Sequence, residues 1–245
     1  MEDMVRSAIS KGLETVVFTE HYEYLSTGEP TGSFSDPGNV ERIADEVMRL
    51  RDAYAGRIRI GFGLEIGQWQ FAHDKVERLL CSFPFDFVIA SYHKVDDVDL
   101  KLHDYHREDV EALVQKYLCG LLEISAGCDF DSLAHLDLIR RYAHMQGVDV
   151  HIETHEEAVR AVLSNIVRRG RLLEVNTSAY RQGLDEPFPS ETILRWYRQE
   201  GGRLVSLGSD AHHTDDIAAG FERATTLVEA LGLEVVTDPM GKAHR

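Results

Sequence analysis

Short apolar segments alternate with amphipathic helical patterns along the chain, and this alternation restricts the fold more than any other feature. Six segments have the apolar and β-branched composition of strands: TVVFTEH, RIRIGFGLE, FDFVIASYH, FDSLAHLD, RLLEVN and GRLVSLGSD. Apolar residues at helical spacing lie between them, as in the runs from Val40 to Leu50 and from Glu108 to Ile124. Strands that alternate with helices predict a parallel sheet with right-handed crossover connections.

The chain has the length of one domain and shows no sign of a second. Its 245 residues are 43% hydrophobic, and no repeat, linker or low-complexity segment divides them. We therefore predict a single domain over residues 1–245. No glycine-rich phosphate loop follows any predicted strand, which favours a TIM-like barrel over an open nucleotide-binding sheet.

The beginning of the chain does not fit a complete barrel. A β/α barrel starts with a strand, whereas the apolar spacing between Met4 and Ile9 predicts a helix that ends near Gly12. The expected fold is therefore an α/β barrel that lacks its first strand.

Charge and cysteine content argue against several classes of protein. The formal net charge of −16 disfavours nucleic-acid binding, which requires a basic surface to neutralise phosphates. No apolar run approaches the length of about 18 residues that suggests a membrane span, and the acidic start MEDMVRSAIS is unlike a signal peptide. Three cysteines without a CxxC pair are typical of a reducing compartment. We expect a cytoplasmic protein, and its oligomeric state does not follow from the sequence.

Side chains that bind metals follow the predicted strands, at the point where each strand ends. Active sites in such barrels lie at the C-terminal ends of the strands, so we expect these side chains to converge. A single histidine is more often a hydrogen-bonded core residue, but the recurrence at five strand ends favours a site. Imidazole and carboxylate ligands suit zinc, iron or manganese. The residues are His21, Glu65, His93, His135, Asp210 and His212.

An ordered set of motifs carries a resemblance to a known family. The segments FTEHY, GLEIG, ASYHKVD, LAHLDLIRRY, LEVNTSAYRQG and LGSDAHH resemble successive motifs of the PHP (polymerase and histidinol phosphatase) superfamily, and more narrowly its histidinol-phosphatase branch. The resemblance extends from about Gly12 to Leu233. It implies a distorted (β/α)7 TIM-like barrel of the PHP type with two or three divalent ions of zinc, iron or manganese. It also implies a phosphatase that converts histidinol phosphate to histidinol and phosphate in histidine biosynthesis.

The resemblance also implies roles for individual residues. The six residues at the strand ends match metal ligands, with Glu65 as the bridging carboxylate, and His93, Asp210 and His212 are also expected to be catalytic. Arg181 matches a position similar to the family's phosphate-binding arginine. The other candidates for contacts with a small phosphorylated substrate are Arg140, Asn176 and His106. The expected mechanism is attack of metal-bound hydroxide on phosphorus, because a divalent ion can lower the pKa of bound water to about 7.

The chain departs from the family pattern at its start. The family opens with a strand that ends in H-x-H, and no such segment precedes the first predicted helix. We expect the gene to encode roughly 15–20 further residues that carry this strand. Two alternatives remain: a PHP phosphoesterase that acts on nucleotides or other phosphomonoesters, and a degenerate PHP domain that binds metal or a partner without catalysis. A metal-dependent amidohydrolase is disfavoured, because Glu65 stands where such enzymes usually have a lysine.

Overall fold

The computed structural model describes residues 1–32 and 34–241. In it, helices and strands alternate along the chain, as the apolar pattern predicts. The helices are α1 (Glu2–Ser10), α2 (Pro37–Ala53), α3 (His73–Ser82), α4 (Val110–Gly127), α5 (Ile139–Met145), α6 (Glu156–Arg168), α7 (Ser178–Arg181), α8 (Glu191–Gln199) and α9 (Phe221–Ala230). The strands are β1 (Thr15–Tyr24), β2 (Pro30–Thr31), β3 (Arg59–Gly67), β4 (Phe87–Ser91), β5 (Lys94–Val95), β6 (Val98–Asp99), β7 (Ser132–Leu133), β8 (Leu172–Asn176), β9 (Leu204–Gly208) and β10 (Glu234–Val235). Among the described residues, no helix combines the length and the apolar composition needed to cross a membrane.

The main sheet is parallel apart from one short strand. Its order is β10-β9-β8-β7-β4-β3-β1-β2, and only β2 runs antiparallel to its neighbour, while β5 and β6 form a separate hairpin. In the β1–β3 pair the register places His21 directly beside Glu65. Because parallel strands end at the same edge of the sheet, the residues that follow them meet at one mouth.

Local signals in the sequence set where the longer helices begin. Asp36 precedes α2, and its carboxylate accepts a hydrogen bond from the backbone N–H of Gly38 at 2.8 Å. Asp109 caps α4 in the same way, through the backbone N–H of Ala112 at 3.1 Å. Both caps satisfy donors that the first turn of a helix leaves unpaired. The helices pack on the sheet around a continuous apolar core in which Tyr117 of α4 is fully buried.

The sheet curves as a barrel does, but it has a gap between its edges. Within the described residues, β1 and β9 are not hydrogen-bonded neighbours, and a cavity of about 670 Å³ lies between them. Its walls include Thr15 to His21 of β1 and Ser206 to Gly208 of β9, beyond the two residues of β9 that pair with β10. At the mouth, the ring centroids of His21 and His212 are 6.5 Å apart, so the two edges approach each other there. The observed fold is the expected α/β fold with a mostly parallel sheet.

Candidate metal centre

The C-terminal ends of four strands bring three of the predicted histidine ligands together around a fourth predicted ligand, the Glu65 carboxylate. Glu65 Oε1 lies 3.0 Å from His135 Nε2 and 3.2 Å from His93 Nε2. Glu65 Oε2 lies 3.6 Å from His21 Nδ1. The Nε2 atoms of His93 and His135 are 3.4 Å apart. Glu65 therefore occupies the centre of a histidine cluster.

Burial of the cluster gives it unusual electrostatics. Glu65 and His135 are only 6% and 4% exposed. Burial alone would raise the pKa of Glu65, but the charge of His21 and hydrogen bonds from His135 and His93 hold it well below its ordinary value. In turn, the Glu65 carboxylate raises the pKa of His21. The carboxylate thus stays ionised, and a cation at this place would displace protons from the histidines.

Asp210 and His212 lie on the opposite side of the same cavity, after β9. Asp210 has a positive φ of 50°, which a residue other than glycine adopts infrequently, and its Oδ2 accepts a hydrogen bond from Arg141 Nη2 at 2.7 Å. Burial alone would raise the pKa of Asp210, but the Arg141 guanidinium lowers it below its ordinary value. The His212 side chain is 68% exposed, and its Nδ1 lies 3.1 Å from the Asp210 carbonyl oxygen.

Arg181 lies beside Asp210, which lines the cavity. Its Nη2 donates to the Asp210 carbonyl oxygen at 3.0 Å, and its Nε lies 3.3 Å from Asp216 Oδ1. One guanidinium therefore contacts the loop that follows β9.

The other predicted substrate contacts are placed differently. Arg140 donates to Asp137 Oδ2 at 2.6 Å and does not line the cavity. His106 lies outside the cavity walls as well, and its Nε2 hydrogen-bonds to the Gln146 carbonyl oxygen at 2.8 Å. Asn176 does line the cavity, but it is 1% exposed and its Oδ1 accepts from the Ser178 backbone N–H at 3.0 Å. The structure does not bring Arg140 and His106 to the site, because local partners hold both.

Three residues near the site were not among the sequence predictions. Glu23 contacts two of the histidines, Arg141 contacts Asp210, and Glu174 accepts the backbone N–H of His135 at 2.9 Å. Two of them had a signal in the sequence. Glu23 follows His21 by two positions in the same strand, and Glu174 precedes Asn176 by two, so each pair points to one face.

The donor atoms present fit a divalent metal ion. Two trios, Glu65 with His93 and His135, and His21 with Glu23 and His93, each offer ligand atoms within 4.8 Å of one another. Imidazole nitrogens with a buried carboxylate form the donor set that proteins use for zinc, iron and manganese. The His135 Nδ1 atom is buried without a hydrogen-bond partner among the described residues, which leaves its Nε2 as the atom that serves the cluster.

Comparison with known proteins agrees with this geometry. The profile of the PHP domain family matches residues 1–178. The chain belongs to the PHP domain family. This PHP domain is 28% identical over 231 residues to the histidinol-phosphatase of Lactococcus lactis, an alignment that covers 93% of this chain and 84% of the relative. It is also 23% identical over 257 residues to the histidinol-phosphatase of Bacillus subtilis, with 91% and 90% covered.

Solved structures share the fold of this PHP domain. The histidinol phosphate phosphatase of Lactococcus lactis, crystallised with zinc, L-histidinol and phosphate, aligns with a TM-score of 0.80 at 25% identity. That alignment covers 96% of this chain and 88% of the other. A second solved structure, from Listeria monocytogenes, aligns with a TM-score of 0.76 at 18% identity, over 91% and 92% of the two chains.

Proposed function

We propose that this PHP domain is a metal-dependent phosphatase that hydrolyses histidinol phosphate to histidinol and inorganic phosphate. The observation that carries the proposal is the arrangement of Glu65 and its histidines on one wall of a cavity that has Asp210 on the other wall. The relatives named histidinol-phosphatase, and the related crystal structure with zinc, histidinol and phosphate, support this substrate and zinc as the ion.

We assign the ions to the predicted ligand residues. Glu65, His21, His93 and His135 would hold one group of donors, and Asp210 and His212 would complete the set from the other side of the cavity. Two or three ions are proposed, because Glu65 directs both of its oxygens at different histidines. An ion held there supplies a Lewis acid and acidifies water at neutral pH.

The chain's own residues bind and orient the phosphoryl group. Because the net charge of the protein is −16, a phosphate dianion needs local cations. We assign this role to Arg181, which contacts the loop after β9, since one guanidinium can donate two hydrogen bonds to phosphate oxygens. We propose that His212, which is exposed at the mouth, helps to hold an ion on this side of the cavity, where the ion would stabilise the leaving alkoxide.

A panel of substrates tests the proposal. The purified chain, loaded with zinc or manganese, is assayed with histidinol phosphate, nucleoside monophosphates and simple phosphomonoesters. We expect the highest kcat/KM for histidinol phosphate, loss of activity in a chelator, and recovery when the metal is restored. A higher kcat/KM for a nucleotide would assign the chain to the other phosphoesterases of this family.

We further propose that the gap in the barrel accepts one more parallel strand. β1 pairs with β3 along its whole length, but its other edge pairs with β2 only at Glu23 and Tyr24. Unpaired edges of this kind are costly and prone to aggregation. A strand ending in H-x-H would pair with β1 and with the part of β9 beyond Val205, and it would add ligands to the cavity, so the 245-residue chain alone should bind metal weakly.

A comparison of this chain with an extended chain tests the strand proposal. It also tests the alternative that the protein is a degenerate PHP domain without catalytic activity. The 245-residue chain and a chain extended at its N-terminus by a strand and loop of roughly 15–20 residues ending in H-x-H are compared for metal content and phosphatase activity. We expect both quantities to rise in the extended chain. Full activity of the shorter chain would refute the strand proposal, and metal content below one ion per extended chain would support a non-catalytic domain.

A further inference from the structure

Glu23 is a buried carboxylate at the metal centre to which the proposed hydrolysis gives no role. It lies at the end of β1, two residues after His21, and is 8% exposed. Its Oε1 lies 2.5 Å from His93 Nδ1 and 3.4 Å from His21 Nδ1. Its Oε2 accepts from Gln68 Nε2 at 3.2 Å and pairs closely with the Lys94 ammonium. Four donors therefore surround this one side chain.

The contact with Glu23 determines how His93 faces the cluster. The Nδ1 atom of His93 points to Glu23, whereas its Nε2 lies 3.2 Å from Glu65 Oε1 and 3.4 Å from His135 Nε2. A neutral imidazole has one N–H and one lone pair. A carboxylate that accepts the Nδ1 proton therefore leaves the Nε2 lone pair directed at Glu65 and His135. Carboxylates placed in this way orient many metal-binding histidines and raise their basicity.

The surroundings of Glu23 argue that it does not bind an ion itself. The Lys94 ammonium lies against Oε2, and a divalent ion bound to that oxygen would be repelled by this charge. Oε1 is already hydrogen-bonded to His93. Glu23 thus differs from Glu65, which pairs with histidines alone among the described residues.

The neighbouring strand is shaped to hold the Glu23 carboxylate in place. Gly67 of β3 is the register partner of Glu23. A Cβ atom at position 67 would lie 2.6 Å from Glu23 Oε2 and 2.6 Å from its Cδ, closer than real contacts allow. The missing side chain at Gly67 therefore leaves the space that the carboxylate occupies.

We propose that Glu23 is a positioning residue that keeps the proton of His93 on Nδ1 and directs Nε2 to the metal ion, while Lys94 balances its charge. The inference rests on the proposed function only in taking Glu65, His93 and His135 as the metal centre.

Zinc affinity provides the first test, with Glu23→Gln as the variant and the full chain as the protein. The dissociation constant for Zn²⁺ is measured by competition with a chelator, and the number of ions per chain by elemental analysis. We expect binding about 10–100-fold weaker with the same number of ions, the loss found when outer carboxylates are removed from metal sites. The control is Glu108→Gln, because Glu108 Oε2 lies 2.7 Å from His103 Nδ1, in a similar pair outside the cluster, and its zinc affinity should be unchanged.

A second variant and a spectroscopic signal separate positioning from general loss of structure. Gly67→Ala displaces the Glu23 carboxylate without removing its charge, and we expect it to weaken zinc binding in the same direction. In the zinc-saturated chain with ¹⁵N-labelled histidine, the Nδ1 proton of His93 should resonate far downfield. This resonance should move upfield in Glu23→Gln, while thermal unfolding shows that each variant is folded.

Several outcomes would overturn the inference. They are unchanged zinc affinity in both folded variants, an Nε2 proton on zinc-loaded His93, or the loss of one whole ion from Glu23→Gln, which would make Glu23 a ligand. If Glu23→Gln does not fold, the affinity of Gly67→Ala decides alone. A chain that shows the expected zinc affinities but hydrolyses no phosphomonoester contradicts the proposed function and supports this inference.

Discussion

The two walls of the cavity are built in different ways. On the wall formed by β1, β3 and β4, Glu65 is 6% exposed and is held by three histidines. On the wall that follows β9, the His212 side chain is 68% exposed, and Asp210 is held by an arginine. The first wall positions its donors through strand register and burial. The second places its donors on a loop, where a ligand can rearrange them.

This difference indicates that the two walls contribute differently to metal affinity. Donors that are already fixed lose little conformational entropy when an ion binds, whereas an exposed side chain such as His212 must be ordered first. We therefore expect the ion at Glu65 to bind more tightly than any ion that depends on His212. Substitutions on the first wall should therefore reduce zinc affinity more than substitutions on the second wall, which is the order of importance of the two walls.

The largest effect is expected from Glu65→Gln. Removal of the central carboxylate takes a ligand from the cluster and leaves the buried histidines without their counter-charge. We expect more than about 100-fold loss of zinc affinity and of kcat/KM, since even residues that only orient ligands account for about 10–100-fold. Chelator competition and steady-state kinetics measure both, with exposed Glu41→Gln as the control. Near-normal zinc affinity in Glu65→Gln would remove Glu65 from the centre.

The two predicted arginines should separate into a substrate effect and a stability effect. Arg181→Ala should raise KM for histidinol phosphate by about tenfold and lower kcat, because a charged hydrogen bond contributes about 1.5–3 kcal/mol. Arg140→Ala should leave KM unchanged and destabilise the fold by about 3–5 kcal/mol, because it strands the fully buried Asp137 carboxylate. Kinetics and urea unfolding of both variants test this. The reverse assignment of effects would place Arg140 at the substrate.

The sequence predicted the first wall better than the second, for a physical reason. His21 and Glu65 lie near the C-terminal ends of long strands whose apolar pattern is strong, and their approximate position follows from that pattern. Arg141 could not be chosen over Arg140, because the choice depends on a contact with Asp210, which is 69 positions further along the chain.

The limits of the pattern appear in the short elements too. The segment FDSLAHLD predicts a full strand, but β7 is only Ser132–Leu133. The Asp131 carboxylate, rather than a backbone carbonyl, accepts the N–H of Val88 at 2.7 Å. Strands of two residues, such as β2, β5, β6 and β10, carry no periodicity and were not predicted.

Zinc affinity should increase as pH rises, and this increase should extend to higher pH than it does at a site whose histidines have ordinary pKa values. Glu65 raises the pKa of His21. Burial lowers the pKa of His93, but Glu23 more than offsets this and holds it well above the ordinary value. Protons therefore compete with zinc at pH values above about 6.5, the pKa of an unperturbed histidine. A zinc affinity independent of pH between about 6 and 8, measured by chelator competition, would count against this cluster as the metal site.

The stability of the metal-free chain should depend on pH in the opposite direction, because the contribution of these histidines to the free energy of unfolding falls as pH rises. A histidine whose pKa is raised in the folded state stabilises the fold below its unfolded pKa, and this contribution is lost as the pH rises through the folded pKa. His21 and His93 both have this sign. In the presence of a chelator, we expect the contribution of His21 and His93 to the free energy of unfolding to fall above about pH 6.5. When zinc is added, we expect zinc binding to stabilise the fold instead. Urea unfolding of wild type and His93→Gln in both conditions isolates the contribution of His93.

The smallest effect is expected from His212→Ala, and it tests the comparison most directly. His212 is exposed, and its Nδ1 lies 3.6 Å from Asp210 Oδ1, so its removal disturbs no buried partner. The free energy of unfolding should change by less than about 0.5 kcal/mol, as is usual for surface substitutions. Zinc binding at the Glu65 cluster should be retained, while kcat falls by less than it does in Glu65→Gln, since only donors on the second wall are affected. Calorimetric titration with zinc and steady-state kinetics on the same sample give both quantities. If His212→Ala abolished all zinc binding, the two walls would form one inseparable site, and the order of importance argued from burial would be wrong.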